Sequence, residues 1–258
     1  METSRRNFLK AGGACLLGLS LWPAVRVLAG DGPDVKADAG ALKGKRWGLV
    51  IDMRKCWPQY QQGCRDCMLA CRREHNIPVI DNKDEEVKWL WTEPYKNAFP
   101  EQEHAYTPAA IADKPFLVAC NHCDNPPCVR VCPTKATFKR PDGIVTMDYH
   151  RCLGCRYCMA ACPYGARSFN FQDPRPFIKE ENLDYPTREK GVVEKCNFCA
   201  ERLDKGQQPA CVEACRVGAL IFGDLDDPNS EVRKILAERN TIRRKPELGT
   251  HPSIYYLV

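Results

Sequence analysis

Apolar and polar residues alternate over Ile144–Asp148, which predicts a half-buried β-strand. The turn sequence Pro-Asp-Gly separates this strand from Ala136–Phe138, so the two segments predict a small hairpin. The final residues, Ile-Tyr-Tyr-Leu-Val, are too few to cross a membrane and predict a docking strand. Aromatic and polar residues also alternate along Val87–Phe99, within Arg72–Ala119. Two interpretations of this segment stay open: an insertion facing a partner, or a hairpin lid over the sites that the cysteines form.

Residues 227–240 have a helical pattern near the end of the chain. Asn229 or Ser230 is the candidate N-cap, since short polar side chains accept hydrogen bonds from the first helical turn. The apolar residues that share one face of this predicted helix are Val232, Ile235 and Leu236. The pattern therefore predicts a short packing helix.

A further apolar run, Ala11–Trp22, follows Arg5 and Arg6 in a Ser-Arg-Arg-x-Phe-Leu-Lys setting. This arrangement resembles a twin-arginine export signal, and Ala29 offers a cleavage point. We therefore predict a signal peptide over residues 1–29 and a location on the periplasmic, extracytoplasmic side of the membrane, with retention as an uncleaved anchor as the alternative. No later stretch approaches the length of a membrane span, so partner subunits are expected to supply membrane association.

The composition predicts a loop-rich fold, because 20 prolines and 17 glycines accompany ordinary hydrophobic (44%) and charged (28%) fractions. The 17 cysteines change the picture. An exported chain with so many cysteines is ordinarily a disulfide scaffold. The twin-arginine route carries proteins that fold first, often around a cofactor, which indicates thiols that are already occupied before export.

Apart from Cys15 in the signal, the cysteines fall into four groups of four. Each group ends in C-x₃-C, and three begin with C-x₂-C, so the ligand spacing is an internal repeat. The groups in chain order are Cys56, Cys64, Cys67 and Cys71; Cys120, Cys123, Cys128 and Cys132; Cys152, Cys155, Cys158 and Cys162; and Cys196, Cys199, Cys211 and Cys215.

The spacing discriminates among the uses of cysteine. Attachment of c-type haem needs C-x-x-C-H, and no pair is followed by histidine. Zinc sites commonly use separated C-x-x-C pairs, and disulfides rarely bridge C-x₂-C outside redox motifs. The third group, followed by Pro163, matches the bacterial ferredoxin run C-x₂-C-x₂-C-x₃-C-P. Iron–sulfur clusters are therefore the favoured cofactor, with zinc and disulfides as the alternatives.

The ferredoxin run also predicts how the groups combine. Its fourth cysteine ligates the other cluster of a two-cluster pair. The second and third groups are neighbours joined by the predicted hairpin, so they form one pair. The first and fourth groups must then pair across the length of the chain.

From about Lys45 onward, the order of motifs resembles the four-cluster ferredoxin subunits of respiratory membrane oxidoreductases. That family includes the electron-transfer subunits of polysulfide, tetrathionate and dimethyl sulfoxide reductases, formate dehydrogenase and the formate-dependent nitrite reductase system. The stretches that carry the resemblance are CNHCDNPPCVRVCPTKAT, CLGCRYCMAACPYGAR and KCNFCAERLDKGQQPACVEAC. The export signal and the first motif are most similar to the exported ferredoxin subunit of a complex linked to dissimilatory sulfite reduction.

The resemblance implies a loop-rich α+β fold of two bacterial-ferredoxin-like two-cluster modules with short hairpins, short helices and insertions. It also implies four [4Fe–4S] clusters with complete cysteine ligation. The implied ligand sets are Cys120, Cys123, Cys128 and Cys162; Cys132, Cys152, Cys155 and Cys158; Cys71, Cys196, Cys199 and Cys211; and Cys56, Cys64, Cys67 and Cys215. The first motif departs from the family, because seven residues instead of two separate Cys56 from Cys64. We expect a loop to bulge out between them at little entropic cost.

Residues next to the cysteines have less specific interpretations. His122 is expected to pack or to form hydrogen bonds, not to bind iron. Arg130, Arg156, Arg167 and Lys195 are candidates to offset cluster charge, with solvated roles equally open. Removing residues 1–29 lowers the formal net charge from +5 to +2, and each cluster adds roughly −2, so the loaded protein is expected to be net negative. A nucleic-acid partner gains no support.

We expect the following divisions: signal peptide 1–29, linker 30–44, first cysteine motif 45–72, insertion 73–115, central ferredoxin module 116–172, linker 173–189, fourth motif 190–223, and C-terminal helix with docking tail 224–258.

The resemblance implies a non-catalytic electron-transfer subunit that links a quinone-interacting membrane subunit to an exported redox partner such as a multihaem cytochrome, in sulfur metabolism. The sequence contains no motif for a nucleophile, a phosphate loop or an open catalytic metal site. The electron-transfer subunit of a molybdopterin oxidoreductase is the first alternative. A structural protein with clusters as staples is the second.

Overall fold

The computed structural model describes residues 38–258, and the predicted export signal lies outside this range. The strands are β1 Trp47–Asp52, β2 Leu90–Pro94, β3 Pro115–Ala119, β4 Thr137–Lys139, β5 Val145–Met147, β6 Ser168–Phe169, β7 Val193–Glu194, β8 Leu220–Asp224 and β9 Ile254–Leu257. The helices are α1 Met53–Gln61, α2 Asp66–Glu74, α3 Tyr95–Ala98, α4 Ala109–Ala112, α5 Pro127–Arg130, α6 Tyr157–Ala160, α7 Ala200–Leu203, α8 Ala210–Glu213 and α9 Glu231–Glu238. Single 3₁₀ turns occupy Pro100–Gln102, Arg175–Phe177 and Pro246–Leu248. These short elements and the long connections confirm the loop-rich α+β class, whereas the division into two modules stays a prediction.

The largest sheet has the strand order β8–β1–β9 and joins distant parts of the chain. Every residue of β1 is buried, which fits its nearly continuous apolar sequence Trp-Gly-Leu-Val-Ile-Asp. Leu49 lies opposite Phe222 in the antiparallel pair and opposite Ile254 in the parallel pair. The docking strand predicted at the C-terminus is confirmed.

The aromatic segment Val87–Phe99 enters the core. Its strand β2 pairs antiparallel with β3, and the side chains of Val87, Trp89 and Phe99 are buried. The ring of Phe99 lies 5.0 Å from that of Phe116 and 5.2 Å from that of Tyr256, both edge to face. The segment thus forms one strand of a hairpin in the core, and its role as a partner-facing insertion or as a lid on the cysteine sites stays a prediction.

The small hairpin predicted between the second and third cysteine groups is also present. Strands β4 and β5 pair antiparallel, with Thr137 opposite Met147. A second two-stranded pair, β6 with β7, places Ser168 opposite Glu194 and ties the third group to the fourth. Among residues 38–258, no helix is long and apolar enough to cross a membrane.

Helix α9 confirms the predicted packing helix and resolves its cap. The hydroxyl of Ser230 accepts a hydrogen bond from the Arg233 N–H at 3.2 Å and donates one to the Asp224 carbonyl at 2.6 Å. Val232 is fully buried against β1 and β8. The apolar face therefore docks the helix onto the main sheet.

We expect Ser230→Ala to lower the free energy of unfolding by about 1 kcal/mol, because the first helical turn loses its side-chain acceptor. Denaturant unfolding of the loaded protein under anaerobic conditions measures this change. Asn229→Ala is the matched control, since the Asn229 side chain makes no cap hydrogen bond. Equal losses for the two variants would contradict the assignment of the cap to Ser230.

Candidate iron–sulfur sites

The sixteen cysteines of residues 38–258 are free thiols, and the fold gathers them into four sets. The cysteines of two sets each line a common cleft, and those of the other two sets lie close enough to repel one another. Because thiols of neighbouring sets also repel one another, the membership follows the ligand sets that the resemblance implies. The sets are site A (Cys56, Cys64, Cys67 and Cys215), site B (Cys71, Cys196, Cys199 and Cys211), site C (Cys120, Cys123, Cys128 and Cys162) and site D (Cys132, Cys152, Cys155 and Cys158). Sites A and B unite the first and fourth cysteine groups, and sites C and D unite the second and third.

Site A is an open cleft of about 380 Å³ that its four cysteines help to line. Burial raises the pKa of Cys56 to about 11 and that of Cys67 to about 12, and the Cys215 and Cys64 thiolates add to both shifts. Cys64 itself is exposed. This site therefore reaches the surface.

The stretched first motif is helical, and our expectation of a bulging loop was wrong. Cys56 lies inside α1, and the rest of that helix with the turn at Gly63 spans most of the distance to Cys64. The physical reason is a cap: the Asp52 carboxylate accepts the Arg54 N–H at 3.1 Å and the Arg54 Nη2 at 2.9 Å. An acidic side chain at this position starts a helix where the cysteine spacing alone indicates a loop.

Site B is assembled where α8 packs against α2. Cys71 and Cys199 are buried, and burial with neighbouring thiolates raises the pKa of both well above the usual value for a thiol. Cys199 has a positive φ of 52°, which turns the backbone into α7. Burial also raises the pKa of Cys196 to about 12, with repulsion from Cys120 as the next cause.

Two polar residues beside site B, His75 and Glu201, were not among the predicted site residues. His75 Nε2 lies 2.8 Å from Glu201 Oε1, and His75 Nδ1 lies 3.0 Å from the Cys71 carbonyl oxygen. Burial opposes ionisation of Glu201, but hydrogen bonds from His75 and Asn197 outweigh it and lower the pKa of that carboxyl. Ligand atoms of His75, Cys199 and Glu201 lie within 4.8 Å of one another. In the sequence, His75 lies four residues after Cys71 and Glu201 lies two residues after Cys199. This proximity to the cysteines was the signal that could have identified them.

Site C lies at the end of β3, where Cys120, Cys123 and Cys128 are buried. Burial, followed by repulsion from Cys120, raises the pKa of Cys123 to about 12. The His122 ring stacks on Phe198 with centroids 3.7 Å apart, and its Nδ1 accepts the Val145 N–H at 3.1 Å. The predicted packing and hydrogen-bonding role of His122 is therefore confirmed.

Site D is narrow, and its four cysteines line one small cleft together with Leu153 and Arg156. Gly154 has φ 74°, and a Cβ there would lie 2.4 Å from the Gly191 carbonyl oxygen, so the close approach requires glycine. Burial opposes ionisation of Cys132, but backbone N–H groups of residues 134, 136 and 137 and the Thr134 hydroxyl outweigh it and lower the pKa of that thiol. Backbone donors thus surround the sulfur.

The four sites lie in the order A, B, C, D, as electrostatic interactions between thiols of different sites indicate. Cys67 of site A interacts with Cys71 and Cys211 of site B. Cys196 of site B interacts with Cys120 of site C. Cys128 of site C interacts with Cys158 of site D.

The four candidate cations separate into two classes. Arg130 and Arg156 are exposed, whereas Arg167 and Lys195 are buried, with 5% and 1% of their surfaces exposed. Solvated roles fit the first two. For the second two, the alternative of offsetting negative charge is the one that burial favours.

The residues of these sites fit iron–sulfur clusters. Thiolates crowded at low dielectric repel one another unless a metal neutralises them, and the buried cations stand where excess negative charge is expected. Each set supplies four sulfur ligands, the number that a [4Fe–4S] cubane needs. Backbone N–H groups aimed at sulfur complete the surroundings that such clusters require.

Comparison with known proteins gives the same class. Residues 115–175 and 182–225 match the family model described as a 4Fe-4S dicluster domain. The chain is similar to the Hdr-like menaquinol oxidoreductase iron-sulfur subunit 1 of Archaeoglobus fulgidus, with 41% identity over 273 residues that cover 98% of this chain and 97% of the relative.

Two further relatives extend the comparison. The menaquinone reductase iron-sulfur cluster-binding subunit of Nitratidesulfovibrio vulgaris is 41% identical over 239 residues, covering 82% of this chain and 88% of its own. A tetrathionate reductase subunit of Salmonella typhimurium is 37% identical over 259 residues, covering 100% and 89%. The chain therefore belongs to the 4Fe–4S dicluster family of oxidoreductase iron–sulfur subunits. Its cofactors are [4Fe–4S] clusters, and its sixteen grouped cysteines provide for four of them.

Proposed function

We propose that this protein carries single electrons between a quinone-interacting membrane subunit and an exported redox partner such as a multihaem cytochrome, in dissimilatory sulfur metabolism. Sites A, B, C and D each hold one [4Fe–4S] cluster through their four cysteines. The protein works on the periplasmic side of the membrane, to which the twin-arginine-like signal sends it folded, and partner subunits hold it there.

The succession of thiol sets is the observation that carries this proposal. Neighbouring sites interact through Cys67 and Cys71, through Cys196 and Cys120, and through Cys128 and Cys158. The middle sites are rich in buried cysteines, whereas Cys64 at one end is exposed. At the other end, Leu153 beside Cys152 is 61% exposed. A series that is buried in the middle and open at both ends suits entry of electrons at one surface and exit at another.

The chain shields the clusters from water and adjusts their reduction potentials. Each bound cluster supplies a one-electron couple, and all four of its ligands come from the protein. The buried walls exclude water from the middle of the series, and N–H donors such as those around Cys132 favour the charged sulfur. A quinol releases two electrons and two protons when it is oxidised, so the membrane partner must hand the electrons over singly and release the protons itself.

The choice of a quinone-linked membrane partner follows from two relatives, whose names are a menaquinol oxidoreductase subunit and a menaquinone reductase subunit. A molybdopterin oxidoreductase is the second candidate for the other partner. Relatives named as subunits of a dimethyl sulfoxide reductase and of tetrathionate reductase favour it. Purification of the native complex separates the two: a haem-containing partner supports the proposal, and a molybdopterin subunit supports the alternative.

Iron analysis tests the ligand sets. We expect about 16 iron atoms per chain, and Cys64→Ser is expected to lower the count to about 12, because site A loses a ligand. Asn229→Ala, which changes an exposed residue outside the four sets, is the control and should leave the count unchanged. Colourless protein without iron would refute the proposal, and clusters that a low-potential reductant cannot reduce would favour structural staples.

A further inference from the structure

Arg167 and Lys195 are two cations buried side by side in the middle of the molecule. Within residues 38–258, neither forms a salt bridge with a carboxylate. Both contact strand β5, Arg167 through the Met147 sulfur and Lys195 through the Val145 carbonyl. Two uncompensated charges of the same sign are unfavourable in a buried region, so an anion must lie close to them.

The polar contacts of the two side chains hold them in place without neutralising them. Arg167 Nη2 donates to the Thr137 hydroxyl at 2.8 Å, and Nη1 contacts the Met147 sulfur at 3.2 Å. Lys195 Nζ donates to the Val145 carbonyl and, at 2.8 Å, to the Cys196 carbonyl. All of these acceptors are uncharged.

The anions within reach are cysteine sulfurs. Met147, which Arg167 contacts, lines the site D cleft and packs beside Cys128 of site C and Cys158 of site D, so Arg167 lies between those two sites. Lys195 donates to the carbonyl of Val145, which packs in the same cluster as Cys128, and to the carbonyl of Cys196 in site B, so it lies between sites B and C.

Other charged groups nearby are committed elsewhere. Glu194, the residue before Lys195, pairs with Arg188 at 2.8 Å and accepts the Trp89 indole N–H at 3.0 Å. His122 adds no positive charge, because its Nδ1 accepts the Val145 N–H at 3.1 Å and therefore carries no proton. The positive charge that faces sites B, C and D from this region is therefore that of Arg167 and Lys195.

We propose that Arg167 and Lys195 are positioning residues that raise the reduction potentials of the clusters around them, Arg167 at sites C and D and Lys195 at sites B and C. This inference rests on the cluster sites proposed above. Reduction adds one negative charge, and a fixed positive charge at low dielectric stabilises the reduced form more than the oxidised form. Both cations raise the potential of the cluster at site C, and neither affects the cluster at site A.

The middle of the relay is therefore easier to reduce than it would be without the pair. An electron that enters at either end meets a favourable step towards site C. Because both cations are buried, added salt screens their effect little, unlike that of the exposed Arg130 and Arg156.

Redox titration of the purified, cluster-loaded protein, followed by low-temperature EPR, tests this assignment. Arg167→Met is expected to lower the equilibrium constant for reduction of the clusters at sites C and D at least tenfold, or 59 mV for a one-electron couple. Lys195→Met should do the same at sites B and C, and site A should keep its potential in both. Signals are assigned to sites with one cysteine-to-serine variant from each set.

Matched variants separate charge from folding. Arg167→Lys and Lys195→Arg keep the charge and should keep every potential within about twofold of the wild-type equilibrium constant. Arg239→Met removes an exposed arginine on the end of α9 and should shift nothing. Thr137→Val removes the anchor of Arg167 but keeps its charge, so it should shift sites C and D in the same direction by less. If Arg167→Met or Lys195→Met fails to retain iron, the potentials of Arg167→Lys, Lys195→Arg and Thr137→Val test the inference instead.

The inference is overturned if potentials in the methionine variants stay unchanged, or if all four sites shift equally. It is also overturned if the charge-keeping variants shift as far as the methionine ones. In each case the wild-type protein still holds about 16 iron atoms, so the proposed relay survives. A wild-type protein without clusters would remove the relay itself.

Discussion

Stripping the iron from this protein with a chelator, anaerobically and with thiols kept reduced, is expected to abolish cooperative folding. Six of the nine described helices are four residues long and cannot persist in isolation. Three of these helices contain a cysteine and a fourth directly follows Cys199, while Cys120 and Cys123 are part of the largest core cluster. Without iron, those sulfurs either repel one another or remain protonated around vacated clefts. The stability at stake is that of the whole domain, on the order of 5–15 kcal/mol.

Far-UV circular dichroism and thermal unfolding measure this loss. Iron and sulfide added back under reducing conditions should restore the unfolding transition. Zinc is the matched control ion, because it binds four thiolates but brings no sulfide to fill the cleft of about 380 Å³ at site A. An iron-free protein that unfolds at the temperature of the loaded one would show that the apolar core suffices alone.

Breaking the buried pair of Arg188 and Glu194 is expected to cost about 3–5 kcal/mol of unfolding free energy. Both side chains are fully buried and lie 2.8 Å apart. Arg188 also donates to the Asn76 carbonyl at 2.8 Å, and Glu194 accepts from Trp89 at 3.0 Å. The pair thus joins the end of α2 and the aromatic segment to β7. Glu194→Leu leaves a buried guanidinium without its anion, which accounts for the size of the effect.

Denaturant unfolding of the loaded protein provides the measurement. Asp173→Asn is the control, because Asp173 and Arg175 form a pair of the same 2.8 Å length on the surface, and this change should have no measurable effect. Replacing both buried partners, Arg188→Met with Glu194→Leu, should recover most of the loss, since an apolar pair of similar volume leaves no unpaired charge. If the single and double variants unfold alike, packing and not charge pairing dominates there.

Features encoded by neighbouring residues were predictable from the sequence. The Pro-Asp-Gly turn locates the hairpin of β4 and β5, and Ser230 locates the start of α9. The spacing also predicts how the cysteine groups pair, because the C-x₃-C step directs the fourth sulfur of a group away from the first three. These are consequences of local geometry.

Features that depend on distant partners were not predictable. His75 and Glu201 are 126 residues apart, and Arg188 meets the carbonyls of residues 75 and 76 from more than 110 residues away. The four candidate cations look alike in sequence, and tertiary packing alone makes two of them buried. The helix across the first motif has a different cause. It begins at the capping carboxylate of Asp52, which the spacing of the cysteines does not reflect.

The pairing of the first cysteine group with the fourth determines the order in which the four sites are completed during biosynthesis. A ribosome that has released residues up to about 165 has supplied every thiol of sites C and D, so iron can enter those two while translation continues. Sites A and B must wait for Cys211 and Cys215, and the main sheet is completed only when β9, the last strand made, aligns with β1. We therefore expect sites C and D to be ready for iron before sites A and B.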